Sequence, residues 1–160
     1  AFEHSGPALV RYPRGKGPGV DVPAGLDVLP IGKGEVLRHG GGAALLAFGT
    51  MVTPALEAAQ ALDATVANMR FVKPLDEDLV ARLASEHDLL VTIEENVVQG
   101  GAGAGVGECL ARLGLNVPVL HLGLPDAFIE QATQAEQLAL CGLSAEGIEA
   151  SVRGWLARHS

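Results

Sequence analysis

The sequence predicts an α/β domain with three layers, in which helices cover both faces of a mostly parallel sheet of about five strands. Apolar runs of strand length alternate along the chain with amphipathic helical stretches, and this alternation is typical of parallel sheets. The runs are residues 43–48, 65–69, 89–93 and 117–122. A further segment, 34–37, is a candidate edge strand.

The helices between these runs have local signals at their ends. Pro54 is expected at the first position of its helix, and Gly114 is expected to end the third helix. The predicted N-caps are polar residues with short side chains, namely Thr53, Asp76, Thr133 and Ser144. Thr133 and Glu136 also have the spacing of a capping box.

The first part of the chain differs from the rest in composition. Residues 1–32 contain five of the nine prolines and many glycines, so they cannot sustain a helix. We predict one strand there, followed by an exposed linker. The expected division is therefore an extended arm over 1–32 and the α/β domain over 33–160.

The composition limits the class of protein. A chain of 160 residues with 48% apolar and 19% charged residues is expected to fold as one globular domain. Its net charge of −8 argues against nucleic acids and anionic membranes as partners. No apolar run is long enough for a membrane span, so we expect a cytoplasmic protein whose Cys109 and Cys141 are free, buried thiols.

Two arginines near the start are the strongest candidates for ligand binding. Arg11 and Arg14 flank a tyrosine and a proline, directly after an apolar stretch. Guanidinium groups suit phosphate because they carry paired donors and a permanent charge. From the residues alone, both could equally be solvated side chains beside a strand end.

A second candidate is the acidic segment Glu94, Glu95 and Asn96, which follows a predicted parallel strand and precedes a glycine-rich stretch, 100–107. Ligands favour the carboxyl ends of such strands. The glycines, however, have neither the dinucleotide nor the P-loop spacing, and two carboxylates would repel phosphate. We therefore predict a tight structural loop that allows a close approach of backbones at a domain or subunit contact.

The remaining polar residues favour structural roles. Arg70 and Lys73 bracket two apolar residues in a connection between a strand and a helix. The five histidines are scattered singly, which makes a metal site of standard spacing improbable, and no nucleophile motif is present. His121 lies in an apolar strand and is expected to be a hydrogen-bonded core residue.

Four segments in order resemble one family. They are Arg-Tyr-Pro-Arg-Gly at 11–15, Met-Arg-Phe-Val-Lys-Pro-Leu-Asp at 69–76, Thr-Ile-Glu-Glu-Asn at 92–96 and Gly-Leu-Pro-Asp at 123–126. Together they resemble the C-terminal quarter of the 1-deoxy-D-xylulose-5-phosphate synthases, which belong to the transketolase family. The resemblance runs from about Gly6 to Leu156 and implies the same three-layer C-terminal domain. Because Ala1 is no natural start, we interpret the chain as a piece of a longer protein.

The resemblance also implies a function. These enzymes are homodimeric transferases that use thiamine diphosphate and Mg²⁺ to join pyruvate and glyceraldehyde 3-phosphate. The reaction yields 1-deoxy-D-xylulose 5-phosphate and CO₂, and serves isoprenoid and thiamine biosynthesis. The family's arginine that holds the substrate phosphate falls on Arg14, with Arg11 a weaker candidate.

The family's cofactor motifs are absent from this chain. Neither the Gly-Asp-Gly motif for magnesium and diphosphate nor the segment with the activating glutamate is present. We therefore expect no catalytic residue, cofactor site or metal site here, and no activity without the remainder of the synthase.

Other readings compete with this one. The chain could be a stand-alone ligand-binding module that uses Glu94, Glu95 and Asn96, or a dimerisation domain. The C-terminal domain of a 2-oxoacid dehydrogenase E1 β-type subunit is also similar. The segments at 11–15 and 69–74 look more like the synthases.

Overall fold

The computed structural model describes residues 1, 3–10, 17, 19, 25 and 27–159. Among these residues the strands are β1 (Glu35–Arg38), β2 (Ala43–Ala47), β3 (Thr65–Asn68), β4 (Leu89–Val97) and β5 (Val119–Leu124). The helices are α1 (Val52–Leu62), α2 (Glu77–Glu86), α3 (Ala102–Leu113), α4 (Gln134–Leu140) and α5 (Ala145–His159). A short 3₁₀ turn, Gly49–Met51, precedes α1. None of these helices is long and apolar enough to cross a membrane.

The five strands form one sheet in the order β1-β3-β2-β4-β5. Strands β2 to β5 are parallel, and β1 pairs antiparallel with β3 at the edge. The predicted α/β class, strand number and edge strand are therefore confirmed. The last strand begins two residues later than predicted, at Val119, since Pro118 has no N–H to donate to a ladder.

Apolar side chains fill both faces of the sheet. Alternate residues of a strand point to opposite faces, so Leu45 packs into one core and Leu46 into the other. Helices α1 and α5 cover the first core, and α2 and α3 cover the second. This arrangement gives the predicted three layers.

Most of the predicted helix ends are confirmed. Asp76 accepts a hydrogen bond from the Leu79 N–H at 3.2 Å, and Thr133 and Glu136 form the capping box. Ser144 Oγ accepts from the Gly147 N–H at 3.2 Å, and Gly114 ends α3 with a φ of 68°. These contacts supply partners for backbone groups that a helix leaves unpaired at its ends.

Two sequence predictions were wrong in detail, one about the start of α1 and one about the burial of a cysteine. Helix α1 begins at Val52, directly after the 3₁₀ turn, so Thr53 lies inside the helix instead of capping it, and Pro54 is the third helical residue and not the first. Cys109 is a buried free thiol, as expected, and burial raises its pKa. Cys141, in contrast, is only half-buried because it follows the last residue of α4.

Residues 8–10 of the arm form no strand in the structure. The strand predicted within 1–32 also involves residues outside the described ones, so it stays a prediction. A strand needs the N–H and C=O groups of a neighbour, and residues 8–10 have no such ladder among the described residues. The described residues before Gly32 are exposed, including Leu9, Val10 and Ile31. They are therefore not part of the core.

The chain joins the α/β domain at a fixed junction. A Cβ on Gly32, which has a φ of 73°, would lie 2.9 Å from Pro74 Cγ. Asp76 accepts from the Gly34 N–H at 2.9 Å, and Lys33 Nζ lies 3.3 Å from Asp76 Oδ1. Residues 32–34 are thus held against the loop that follows β3.

Asp76 should make the stability of the chain depend on pH. Burial raises its pKa, but the N–H groups of Gly34 and Leu79 and the Lys33 ammonium outweigh burial, so the pKa lies below its ordinary value of 3.8. The carboxylate therefore stabilises the fold above that pH, and this contribution is lost as the pH falls through the lowered pKa. We expect Asp76→Asn to lower the free energy of unfolding by about 1–2 kcal/mol at neutral pH and to reduce its acid dependence.

Urea unfolding at a series of pH values measures both effects. The matched control is Asp78→Asn, since Asp78 is an exposed partner of the same lysine, 2.9 Å from Lys33 Nζ. It should change the stability by no more than about 0.5 kcal/mol. An unchanged acid dependence in Asp76→Asn would contradict the role given to this carboxylate.

Candidate functional site

A crevice opens between the carboxyl ends of β2 and β4. From β2 the chain passes through α1 to β3 on one side, and from β4 it passes through α3 to β5 on the other side. In open α/β sheets, ligands bind where the strand order reverses in this way. The crevice has a volume of about 570 Å³, and its walls include Thr50, Val72, Glu95, Asn96 and Gly101.

Glu94 forms part of the wall of this crevice. Its side chain is buried, and its carboxylate accepts hydrogen bonds from the Ala102 N–H at 2.7 Å and the Gly103 N–H at 2.8 Å. These are first-turn donors of α3, where the helix dipole favours a negative charge. The positive end of α3 is therefore already occupied by a side chain of the same domain.

Gly103 allows β4 and α3 to approach closely. A Cβ on Gly103 would lie 2.5 Å from Thr92 Oγ1 and 2.7 Å from His121 Nδ1. A Cβ on Gly101 would collide with the Glu94 carboxylate and the carbonyl oxygen of Val97. Gly101 and Gly103 thus allow the start of α3 to lie close against its neighbours within the domain, while the domain or subunit contact predicted for this stretch stays a prediction.

Glu95 points the other way and is exposed. Its carboxylate accepts from the Thr50 hydroxyl at 2.5 Å and from the Gln134 side-chain amide at 3.0 Å. The 3₁₀ turn after β2, the last residues of β4 and the start of α4 are thereby joined. The crevice carries negative charge, so it does not suit a phosphate or a diphosphate.

The structure weakens the reading of residues 94–96 as a ligand site. Glu94 is committed to α3, so only Glu95 and Asn96 offer exposed polar groups. Among the residues that the structure describes, no group of three or more His, Cys, Asp or Glu side chains is arranged for a metal ion.

The other sequence candidates have structural partners. Arg70 forms an ion pair with Glu35 of the edge strand, in agreement with its predicted structural role. The Nδ1 atom of His121 lies 2.7 Å from Thr92 Oγ1, which confirms the predicted hydrogen bond, but His121 is only half-buried and is not the core residue that was predicted. Arg11 and Arg14 lie outside the described residues, and their role in phosphate binding stays a prediction.

The sequence analysis missed the role of Glu94. It also assigned no role to Phe128, which lies fully exposed in the segment after β5. The sequence did contain a signal for Glu94. This acidic residue lies near the end of a strand, eight residues before the start of a helix whose N-cap, Gly101, has no polar side chain. For Phe128 the sequence offers no comparable signal.

The chain matches the family described as "Transketolase, C-terminal domain" over residues 32–148. It is 60% identical over 157 residues to the 1-deoxy-D-xylulose-5-phosphate synthase of Chromobacterium violaceum, covering 98% of this chain and 26% of that protein. The synthase of Thiobacillus denitrificans is 62% identical over 157 residues, which cover 98% and 25% of the two chains. This chain therefore spans about a quarter of the length of the curated relatives it matches.

Solved structures agree with the fold. The structure titled "Split gene transketolase, inactive beta4 tetramer" matches with a TM-score of 0.73 and 34% identity, over 79% of this chain and 43% of that chain. A transketolase from Campylobacter jejuni matches with a TM-score of 0.53 over 77% of this chain and 18% of that chain. At 17% identity, this second likeness supports the fold alone. With its parallel sheet, its antiparallel edge strand and a family match across most of its length, the chain belongs to the transketolase C-terminal domain family.

Proposed function

We propose that this chain is the C-terminal part of a 1-deoxy-D-xylulose-5-phosphate synthase. The observation that best supports this proposal is the 60% identity to a synthase over 98% of the chain. In the whole enzyme, a two-carbon unit from pyruvate would be joined to glyceraldehyde 3-phosphate, with release of CO₂. The enzyme would be a cytoplasmic, homodimeric transferase that serves isoprenoid and thiamine biosynthesis.

The cofactor of this reaction would be bound outside the chain. Thiamine diphosphate with Mg²⁺ supplies the carbanion chemistry in such enzymes. The crevice described above does not fit a diphosphate, since Glu94 occupies the first N–H groups of α3 and Glu95 adds a second carboxylate. The chain alone is therefore expected neither to bind the cofactor tightly nor to form product.

The contribution of this chain to the reaction would come from its arm. We propose that Arg14 binds the phosphate of glyceraldehyde 3-phosphate, and that Arg11 supports it or a neighbouring contact. The arm over 1–32 would belong to the end of the cofactor-binding domain, and 33–160 would form the C-terminal domain. The exposure of the described residues before Gly32, and the junction at 32–34, support this division.

In the full-length synthase, Arg14→Ala should raise the KM for glyceraldehyde 3-phosphate far more than the KM for pyruvate. Only the first of these substrates carries a phosphate. Loss of a charge-assisted contact costs about 1.5–3 kcal/mol, or about ten- to a hundredfold in the kinetic constant. Arg14→Lys should recover part of the loss, because one ammonium cannot reproduce a paired guanidinium contact.

Steady-state kinetics with each substrate varied in turn is the measurement, and the unchanged full-length enzyme is the control. Equal damage towards both substrates would point to a folding role for Arg14. If the unchanged enzyme forms no 1-deoxy-D-xylulose 5-phosphate, the proposed function itself is wrong. The related E1 β-type subunit would then be the better reading.

A further inference from the structure

The segment that follows β5 is held in place by hydrogen bonds, and within 125–140 it reaches the core through the half-buried Leu138 of α4. None of residues 125–140 is buried, and α4 has no buried residue. Even so, the capping box of Thr133 fixes the start of α4, and the Gln137 side-chain amide donates to the carbonyl oxygen of Glu130 at 3.0 Å. The hydrogen bond from the Gln134 side-chain amide to Glu95 attaches the same helix to the last residues of β4.

This fixed segment holds Phe128 out in solvent. The phenylalanine side chain is fully exposed, and Leu140 at the end of α4 is also exposed. Exposed aromatic side chains on an ordered scaffold are typical of the centres of protein interfaces. A partner that covers Phe128 would therefore gain apolar contact without having to order the loop first.

Phe128 lies at the edge of the sheet where the arm joins the domain. The loops after β3, β2, β4 and β5 all leave the carboxyl ends of parallel strands, and so share one edge. With neighbouring strands about 4.8 Å apart, the distance along this edge from β3 to β5 is about 14 Å. Gly32 packs against Pro74 in the first of these loops, beside Val72, which is 58% exposed.

We propose that this carboxyl edge, with Val72 and Phe128 as its apolar contacts, is the docking surface for the part of the same polypeptide that precedes residue 1 in the full-length synthase. The inference rests on the proposed function. The relatives are about four times as long as this chain, and the match is to their C-terminal domain. Any upstream length is therefore connected to this edge through the junction at 32–34, which raises its effective concentration there.

The charge of the edge indicates the chemistry of the surface that docks. Glu95 and Asn96 are exposed between the two apolar contacts, and the hydrogen-bond partners of the Glu95 carboxylate, Thr50 and Gln134, are both uncharged. The docking surface of the upstream region should therefore be apolar, with a basic or amide side chain opposite Glu95.

Photo-cross-linking in the full-length synthase tests the proposal. Phe128 is replaced by p-benzoylphenylalanine, a substitution that an exposed site accepts without a packing change. Irradiation is expected to join residue 128 to a peptide upstream of residue 1, in a product with the mass of one chain. A second substitution of the same kind at Val72 should give the same result.

Leu113 is the matched control position. It is an apolar residue that is 40% exposed, at the last residue of α3 and hence at the opposite edge of the sheet. No cross-link to a peptide upstream of residue 1 is expected from this position. A product with the mass of two chains would show that a second copy covers Phe128 and would overturn the proposal, as would no cross-link at both 128 and 72. Product formation by the unmodified enzyme is assayed separately, so a failure of the proposed function is distinguished from a failure of docking.

Discussion

Replacement of Glu94 by alanine is expected to lower the free energy of unfolding by about 3–5 kcal/mol. The side chain is 3% exposed, and its carboxylate is the acceptor for two first-turn N–H groups of α3. Without it, both N–H groups would be left without that acceptor beside a new cavity. An unsatisfied buried donor costs about 1–3 kcal/mol, so two of them dominate the effect.

Urea unfolding followed by circular dichroism measures this change, and the neighbouring glutamate supplies the control. Glu95 is exposed, and its two partners, Thr50 and Gln134, also reach solvent. Glu95→Ala should therefore alter the stability by only about 0.5 kcal/mol. Glu94→Gln should fall between the two, since one carbonyl oxygen remains to accept. Similar losses from Glu94→Ala and Glu95→Ala would refute the assigned role.

The second large effect is expected at Gly103, where alanine should destabilise the chain by about 3 kcal/mol. The added methyl group would lie 2.5 Å from Thr92 Oγ1 and 2.7 Å from His121 Nδ1, and Thr92 is fully buried. Since neither β4 nor α3 can move without disturbing Glu94, the strain cannot be relieved cheaply.

Gly105 in the same helix provides a control with the opposite sign. No atom lies within 4 Å of the position that its Cβ would occupy. Gly105→Ala should therefore stabilise the helix by about 0.5–1 kcal/mol, because alanine loses less backbone entropy on folding. Thermal unfolding of the two variants should shift in opposite directions. A shift of the same sign in both would exclude close approach as the reason for Gly103.

The alternation of apolar runs was sufficient to predict the sheet, because each buried parallel strand requires a continuous apolar segment. Caps such as Asp76 and Thr133 were readable because their partners lie within three residues. The prediction for Thr53 was wrong because the helix begins earlier, at Val52, directly after a 3₁₀ turn. The residues of that turn have no distinctive sequence pattern. Local signals therefore served well only where the contact itself was local.

The site was less predictable because its contacts are long-range in the fold. That Glu94 caps α3 depends on how closely the glycines let β4 and α3 approach, which a pattern of residue types does not specify. The exposure of Phe128 depends on the path of residues 125–128, which are all exposed after β5. Arg11 and Arg14 were candidates because of their side-chain chemistry, and only the resemblance to a family assigned them to a substrate phosphate.

The junction at Asp76 has a mechanical consequence. One carboxylate bonds both to the first turn of α2 and to the start of the segment that leads into β1. Tension on the arm would therefore pass into a helix and a sheet edge that are both anchored in the core. Rotation about the backbone is harder where hydrogen bonds have to break. We therefore expect the arm not to pivot within residues 32–34.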